Sequence, residues 1–199
     1  MSAFFNFLFG RNLSLFLLLL AGIPARAQWT PLSTGSAYNQ YDIFALDAQR
    51  VFVGGVDALM KSANGGQSWT ALQLLDESNT PIFNSTLQAI HFFDENTGVA
   101  TGFILTGNVE AILRTTDGGQ HWKIVHTQTG GTAPRFLTDF SFPTPDIGYA
   151  CGNRGVILKT ENAGLSWTPV QLPSSSGTYS GIFFTDPVNG YIAGSGKIL

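Results

Sequence analysis

One cysteine among 199 residues excludes an intrachain disulfide. That residue, Cys151, reads as a small buried filler, because Thr101 and Ala193 hold the same position in the other repeats of the chain. Charge is scarce as well: 12% of the residues are charged and the formal net charge is −3, which gives nucleic acid nothing to bind. Past residue 27 no apolar run approaches the roughly 20 residues of a membrane-spanning helix, so no span is expected in the mature chain. There is no G-x-S-x-G, no phosphate loop and no zinc motif. His91, His121 and His126 lack metal-ligand spacing, so neither a metal nor a cofactor is expected. What is plentiful is glycine, 23 residues, and phenylalanine, 16, a composition that suits many short strands joined by tight turns.

The first 27 residues read as a signal peptide. Arg11 supplies a positive flank, Leu13 to Leu20 an apolar core too short to span a bilayer, and Ala25-Arg26-Ala27 a small-residue cleavage site. The mature chain is expected to begin at Gln28 and to be exported, whether to the periplasm, the cell surface or the medium.

The rest repeats itself. Lys61-Ser62-Ala63-Asn64-Gly65-Gly66-Gln67-Ser68-Trp69 returns as Arg114-Thr115-Thr116-Asp117-Gly118-Gly119-Gln120-His121-Trp122 and again as Lys159-Thr160-Glu161-Asn162-Ala163-Gly164-Leu165-Ser166-Trp167. A second block, Phe93 to Gly102, recurs at Phe142 to Gly152 and Phe184 to Gly194. A period of about 45–55 residues is long enough for a four-stranded propeller blade and too long for most helical repeats. The second unit reads as strands over 87–93, 98–103, 111–115 and 122–127; the third as 137–142, 148–152, 156–160 and 167–172. The expected fold is therefore all-β: a propeller of four-stranded antiparallel blades at 40–75, 86–127 and 136–172, an incomplete blade at 179–199, and a closing outer strand at 28–36. Pro31 and Pro169 each follow a tryptophan by two residues and suit an outer edge strand, where no ladder donor is needed. About three and a half blades are present. Two arrangements stay open: part of a larger ring of about six to eight blades, or closure as a small four-bladed ring.

Each tryptophan box has a structural task. Ser62, Thr115 or Thr160 and Asn64, Asp117 or Asn162 can accept backbone N–H groups of the turn. Gly66, Gly119 or Gly164 can take a positive φ, and Trp69, Trp122 or Trp167 packs between sheets while its N–H seeks a partner. Two of the three boxes carry asparagine, which cannot act as a carboxylate base, so the boxes read as staples and no catalytic residue is expected among them.

These boxes resemble the Asp-box, or bacterial neuraminidase, repeat S/T-x-D/N-x-G-x-x-W. The fuller pattern F-x-D-x-x-x-G-[YV]-A-x-G, then I-L-[KR]-T, then the box, resembles the photosystem II stability and assembly factor propellers and their non-photosynthetic bacterial relatives over about residues 40–199. The resemblance implies a non-enzymatic binding or assembly role, usually on a seven-bladed ring.

The residues leave two function classes. The leading one is an exported, non-catalytic propeller that binds another protein or a glycan. The other is a piece of an Asp-box glycoside hydrolase whose catalytic residues lie elsewhere. A sialidase needs an arginine cluster and a Tyr–Glu pair. Of Arg50, Arg114, Arg135 and Arg154, Arg114 already serves as the basic residue of a box, and no motif pairs a tyrosine with a glutamate. Asp57, Asp76, Glu77 and Glu110 show no spacing that singles out an acid–base pair. Ligand binding is expected on the face opposite the boxes, where the loops vary most between repeats; Asp57, Glu110, Arg135 and Arg154 are the candidate anchors.

Overall fold

The computed structural model of the chain describes residues 30–82, 85–104, 109–128, 136–171, 177–195 and 197–198. Met1–Pro31 is a unit of its own, of which Thr30 and Pro31 alone are described, neither in a strand. Every sheet belongs to the second unit, Leu32–Leu199. The first sheet contains β1 (Gln40–Ala45), β2 (Val51–Gly55), β3 (Ala58–Ser62) and β4 (Thr70–Gln73), in that order. After the two-residue β5 (Leu75–Asp76) come β6 (Ser85–Phe92), β7 (Gly98–Ile104), β8 (Val109–Thr115) and β9 (His121–Gln128) of the second sheet. The third holds β10 (Leu137–Ser141), β11 (Gly148–Gly152), β12 (Ile157–Thr160) and β13 (Thr168–Pro169). The fourth holds β14 (Tyr179–Phe184), β15 (Gly190–Gly194) and β16 (Lys197–Ile198). These are antiparallel propeller blades.

The first strand of every sheet carries a register break at the same place, at Gln40/Asp42, Leu87/Ala89, Leu137/Asp139 and Tyr179/Gly181. An extra residue there bends the strand and increases its twist. The repeated sequence thus produces a repeated irregularity as well as repeated strands.

Three expectations change. The outer strand of the third sheet is Thr168–Pro169 in place of 167–172; Pro169 lies opposite Leu158 and the Val170 N–H still donates to Ile157 O at 2.9 Å, while Leu172 lies outside the described residues. Thr30 to Ser36 carries no strand, so the described part of the expected closing strand at 28–36 forms none; Gln28 and Trp29 lie outside the described residues. And β5 makes a fifth strand, parallel to β9, with Leu75 beside His121 and Asp76 beside Trp122.

The core lies between sheets. Phe52 and Leu59 of the first meet Leu87, Ile90, Phe92, Ala100 and Leu113 of the second. Val99 and Ile112 meet Leu137, Ala150 and Leu158 of the third. Tyr149, Cys151 and Ile157 meet Tyr179, Ile182 and Ile192 of the fourth. Phe52 stacks on Phe92 and Tyr149 on Phe184, each pair with centroids 3.7 Å apart. Each such ring contributes about 1.5–3 kcal/mol by burial alone.

Candidate functional site

The tryptophan boxes form one face. In the first, the Ser62 hydroxyl accepts the Gly66 N–H at 2.8 Å and donates to Asn64 Oδ1, which also accepts the Ser68 N–H at 2.9 Å. Thr115, Asp117, Gly119 and His121 repeat this arrangement, as do Thr160, Asn162, Gly164 and Ser166. Each box turn is bonded to the turn between the first two strands of its own sheet: Gly65 N–H to Gln49 O, Gly118 N–H to Asn96 O and Ala163 N–H to Asp146 O, at 2.7–2.9 Å. Both sets of turns therefore share a face. Gly66, Gly119 and Gly164 have φ of 84°, 91° and 77°. An added methyl would collide with Leu32, Leu59 and Val99 respectively. Leu32 thus occupies, at the first box, the place that the preceding sheet's side chain fills at the other two. The tryptophan N–H finds its acceptor in the second box alone, where Trp122 Nε1 donates to Gly119 O at 3.0 Å; Trp69 and Trp167 keep theirs buried and unpaired. Arg114 donates to Ala163 O of the third sheet, so it is a structural link.

The opposite face carries the turns between second and third strands. Asp57, Arg154 and Ser195 sit there with φ of 55°, 57° and 46°. Arg154 is exposed, and its neighbour Asn153 accepts the Phe136 N–H through Oδ1. Tyr38 and Tyr41, 63% and 47% exposed, join this face because Gln40 pairs with Gly55 and the Val56 N–H donates to Asn39 O. Sequence reading missed both tyrosines; an aromatic pair in an otherwise polar Ser36-Ala37-Tyr38-Asn39-Gln40-Tyr41 run is the signal that could have found them. Arg135 lies outside the described residues.

Glu110 is not a ligand anchor. It is 2% exposed, and its Oε1 accepts the Leu137 N–H while Oε2 has no partner. Burial pushes its carboxyl up to about 8, against the smaller opposing effect of that N–H. Thr101 donates to the Leu137 carbonyl, so the second sheet holds both polar atoms of Leu137. Asp42 and Asp139 are pins of the same kind. Asp42 accepts from Ile43 and, across the sheet junction, from Ile90 at 2.7 Å; Asp139 accepts from Phe140 and, across its junction, from Ile182 at 2.8 Å. Burial raises both from the ordinary value, against the opposing effect of the N–H groups they accept.

Burial pushes His91 down to about 4, between the rings of Phe44 and Phe142, so it is neutral at physiological pH. His121 bonds Asp117 Oδ2 and Asn79 Oδ1. Cys151 is fully buried and its thiol is pushed up to about 12 by that burial. Among the described residues no group of three or more His, Cys, Asp or Glu side chains could hold a metal ion, and no helix is long and apolar enough to cross a membrane.

A family model described as photosynthesis system II assembly factor YCF48 matches residues 23–137 and 82–182. Among solved structures, the chain resembles YCF48 bound to D1 peptide, at TM-score 0.62 and 19% identity over 86% of this chain and 51% of that one. YCF48 from Cyanidioschyzon merolae aligns at TM-score 0.56 and 12% identity over 80% and 49%. The Niastella koreensis GH74 enzyme aligns at 0.57 and 15% over 78% and 26%. The chain spans about half the length of the two YCF48 chains. At these identities the solved structures speak for the fold alone. No curated protein matches the chain in sequence.

Proposed function

The chain belongs to the photosynthesis system II assembly factor YCF48 family, and from that premise we propose that it is an exported, non-catalytic propeller that binds a segment of another protein in an assembly-factor-like role. The observation that carries this reading is the family match across the repeated strand-and-box segments, joined to a structural neighbour that is itself bound to a peptide. Export rests on the Arg11, Leu13 to Leu20 and Ala25-Arg26-Ala27 pattern.

The binding face is the one opposite the boxes, where Arg154, Tyr38 and Tyr41 are exposed; tyrosine and arginine dominate binding hot spots. Arg135 is a further anchor on the sequence's showing. The carboxylates support a non-catalytic reading: Asp42, Asp117 and Asp139 are occupied by backbone N–H groups, and Glu110 is shut in a sheet junction.

The test is capture of partners from an extract of the source cells, with Arg154→Ala and Tyr41→Ala set against the box-face changes Gln67→Ala and Gln120→Ala. Capture should drop with the first pair and persist with the second. Loss from the box face alone would overturn the assignment. Export is read separately: the secreted chain should begin at Gln28 by N-terminal mass analysis.

A further inference from the structure

The rim of the second sheet carries a strand edge that is only partly covered. β9 is its outer strand, eight residues long, and β5 covers only its first two, His121 and Trp122. At Asp76 the chain leaves the sheet. The Asp76 carboxylate accepts the N–H groups of Ser78 and Thr80, both at 2.8 Å, which closes a tight turn. The return leg is fixed by the Ile82 N–H donating to Leu74 O at 2.8 Å. The turn's tip is tied down by Asn79 Oδ1 against His121 Nε2, also at 2.8 Å. Beyond Trp122 no strand pairs with the outer side of β9 among the described residues.

Beside that edge is a groove of about 500 Å³, lined by Asp76, Glu77, Pro81, Ile82, Lys123 and Ile124. Its apolar lining is Pro81, Ile82, Trp122 and Ile124. Ile124 is 47% exposed, a large apolar side chain left in water on an edge strand. Its rim carries Glu77 and Lys123, 4.0 Å apart and both largely solvated. The Asp76 Oδ1 accepts both N–H groups of its own turn, which fixes the carboxylate at the groove's edge.

We propose that the outer edge of β9 beyond Trp122 and this groove together dock an extended peptide segment, which adds as a strand continuing the line of β5 and sets one apolar side chain between Ile82 and Ile124. β5 shows that this edge accepts an added strand at His121 and Trp122, and the Asp76 turn then withdraws the chain where the groove begins, ahead of the register break between Ile124 and His126. Backbone pairing supplies affinity and the groove supplies side-chain selection, the division of labour in strand-addition recognition. The site is distinct from the Arg154 face and independent of it.

The test uses hydrogen exchange on the full chain with a blocked octapeptide alternating valine and threonine, carrying a terminal lysine for solubility and for Glu77. Exchange should slow within 121–128, unchanged by Arg154→Ala. Ile124→Glu, at an exposed position that costs the fold little, should weaken the effect roughly tenfold or more. The same peptide N-methylated at alternate residues should give no protection. Protection confined to the Arg154 face would overturn this site and leave the proposed function standing. Equal protection by the N-methylated peptide, indifference to Ile124→Glu, or no protection by the octapeptide would also overturn it.

Discussion

At the scale of single residues, the same chemistry carries different duties according to where the strands bring it. Asp57 lies between the second and third strands of its sheet and Glu110 near the start of the third strand of its own, yet Glu110 is closed off, its carboxylate bonded to the Leu137 N–H of the next sheet. Its carboxyl sits near 8 in the fold, well above the ordinary value of 4.5. A raised acid binds its proton more tightly folded than unfolded. The stabilisation is complete below the unfolded value and is lost as pH rises through about 8. The melting temperature should therefore fall across that window, by an equivalent on the order of a few kcal/mol. His91, depressed to about 4, runs the other way at the acid end, so the clean measure is the difference between wild type and Glu110→Gln. Glutamine keeps an acceptor for Leu137 and cannot ionise. Its melting curve should be flatter with pH and higher at pH 8; parallel curves would refute the account. Trp122, 1% exposed with its N–H satisfied, should cost roughly 3–5 kcal/mol on change to alanine, measured by denaturant unfolding.

At the scale of elements, the second box departs from its siblings in two linked positions. Asn64 and Ser68, and Asn162 and Ser166, are matched pairs; Asp117 and His121 replace both partners at once. The histidine then reaches beyond the box to Asn79, so this box alone secures the turn after β5. Asp117→Asn should be mild, since Oδ1 still takes the backbone N–H groups of Gln120 and His121. His121→Ser should leave global stability nearly unchanged and speed amide exchange across Glu77 to Asn79; unchanged exchange there would show that the latch holds nothing. The boxes were legible in the sequence because their order rests on local hydrogen bonds at fixed spacing, from Thr115 to Gly119 for instance. β5 was not, because a two-residue parallel pairing has no periodicity of its own and owes its place to β9. Asp42 and Asp139 were missed for a related reason. Each stands at a register break, and its partner amide lies more than forty residues away in the next sheet. The candidate face was legible as a set of turns, while the burial that removes Glu110 from it depends on Leu137 across a sheet junction.

At the scale of the molecule, the junction between sheets is the repeating structural unit. Phe52, Val99 and Tyr149 occupy equivalent positions on the second strands, and the following sheet buries them to 0%, 0% and 8% exposure. Tyr191 holds that position in the fourth sheet and is 60% exposed, opposite Phe183 at 65%. Ile43 is 66% exposed, while Ile90 and Ile182, its counterparts facing a preceding sheet, are at 4% and 5%. Closure into a four-bladed ring would bury these side chains, and the described residues do not show it. A paired tyrosine and phenylalanine exposed on a sheet face form an apolar patch that favours association. Sedimentation of the chain should reveal self-association that strengthens with salt, as an apolar contact does and an ionic one does not. Tyr191→Asp should weaken it without loss of sheet content by circular dichroism, because the ring packs on little within the sheet it belongs to. A chain that sediments as a monomer at every concentration, or a Tyr191→Asp variant that associates as before, would show that the exposed ring is not what drives contact between copies.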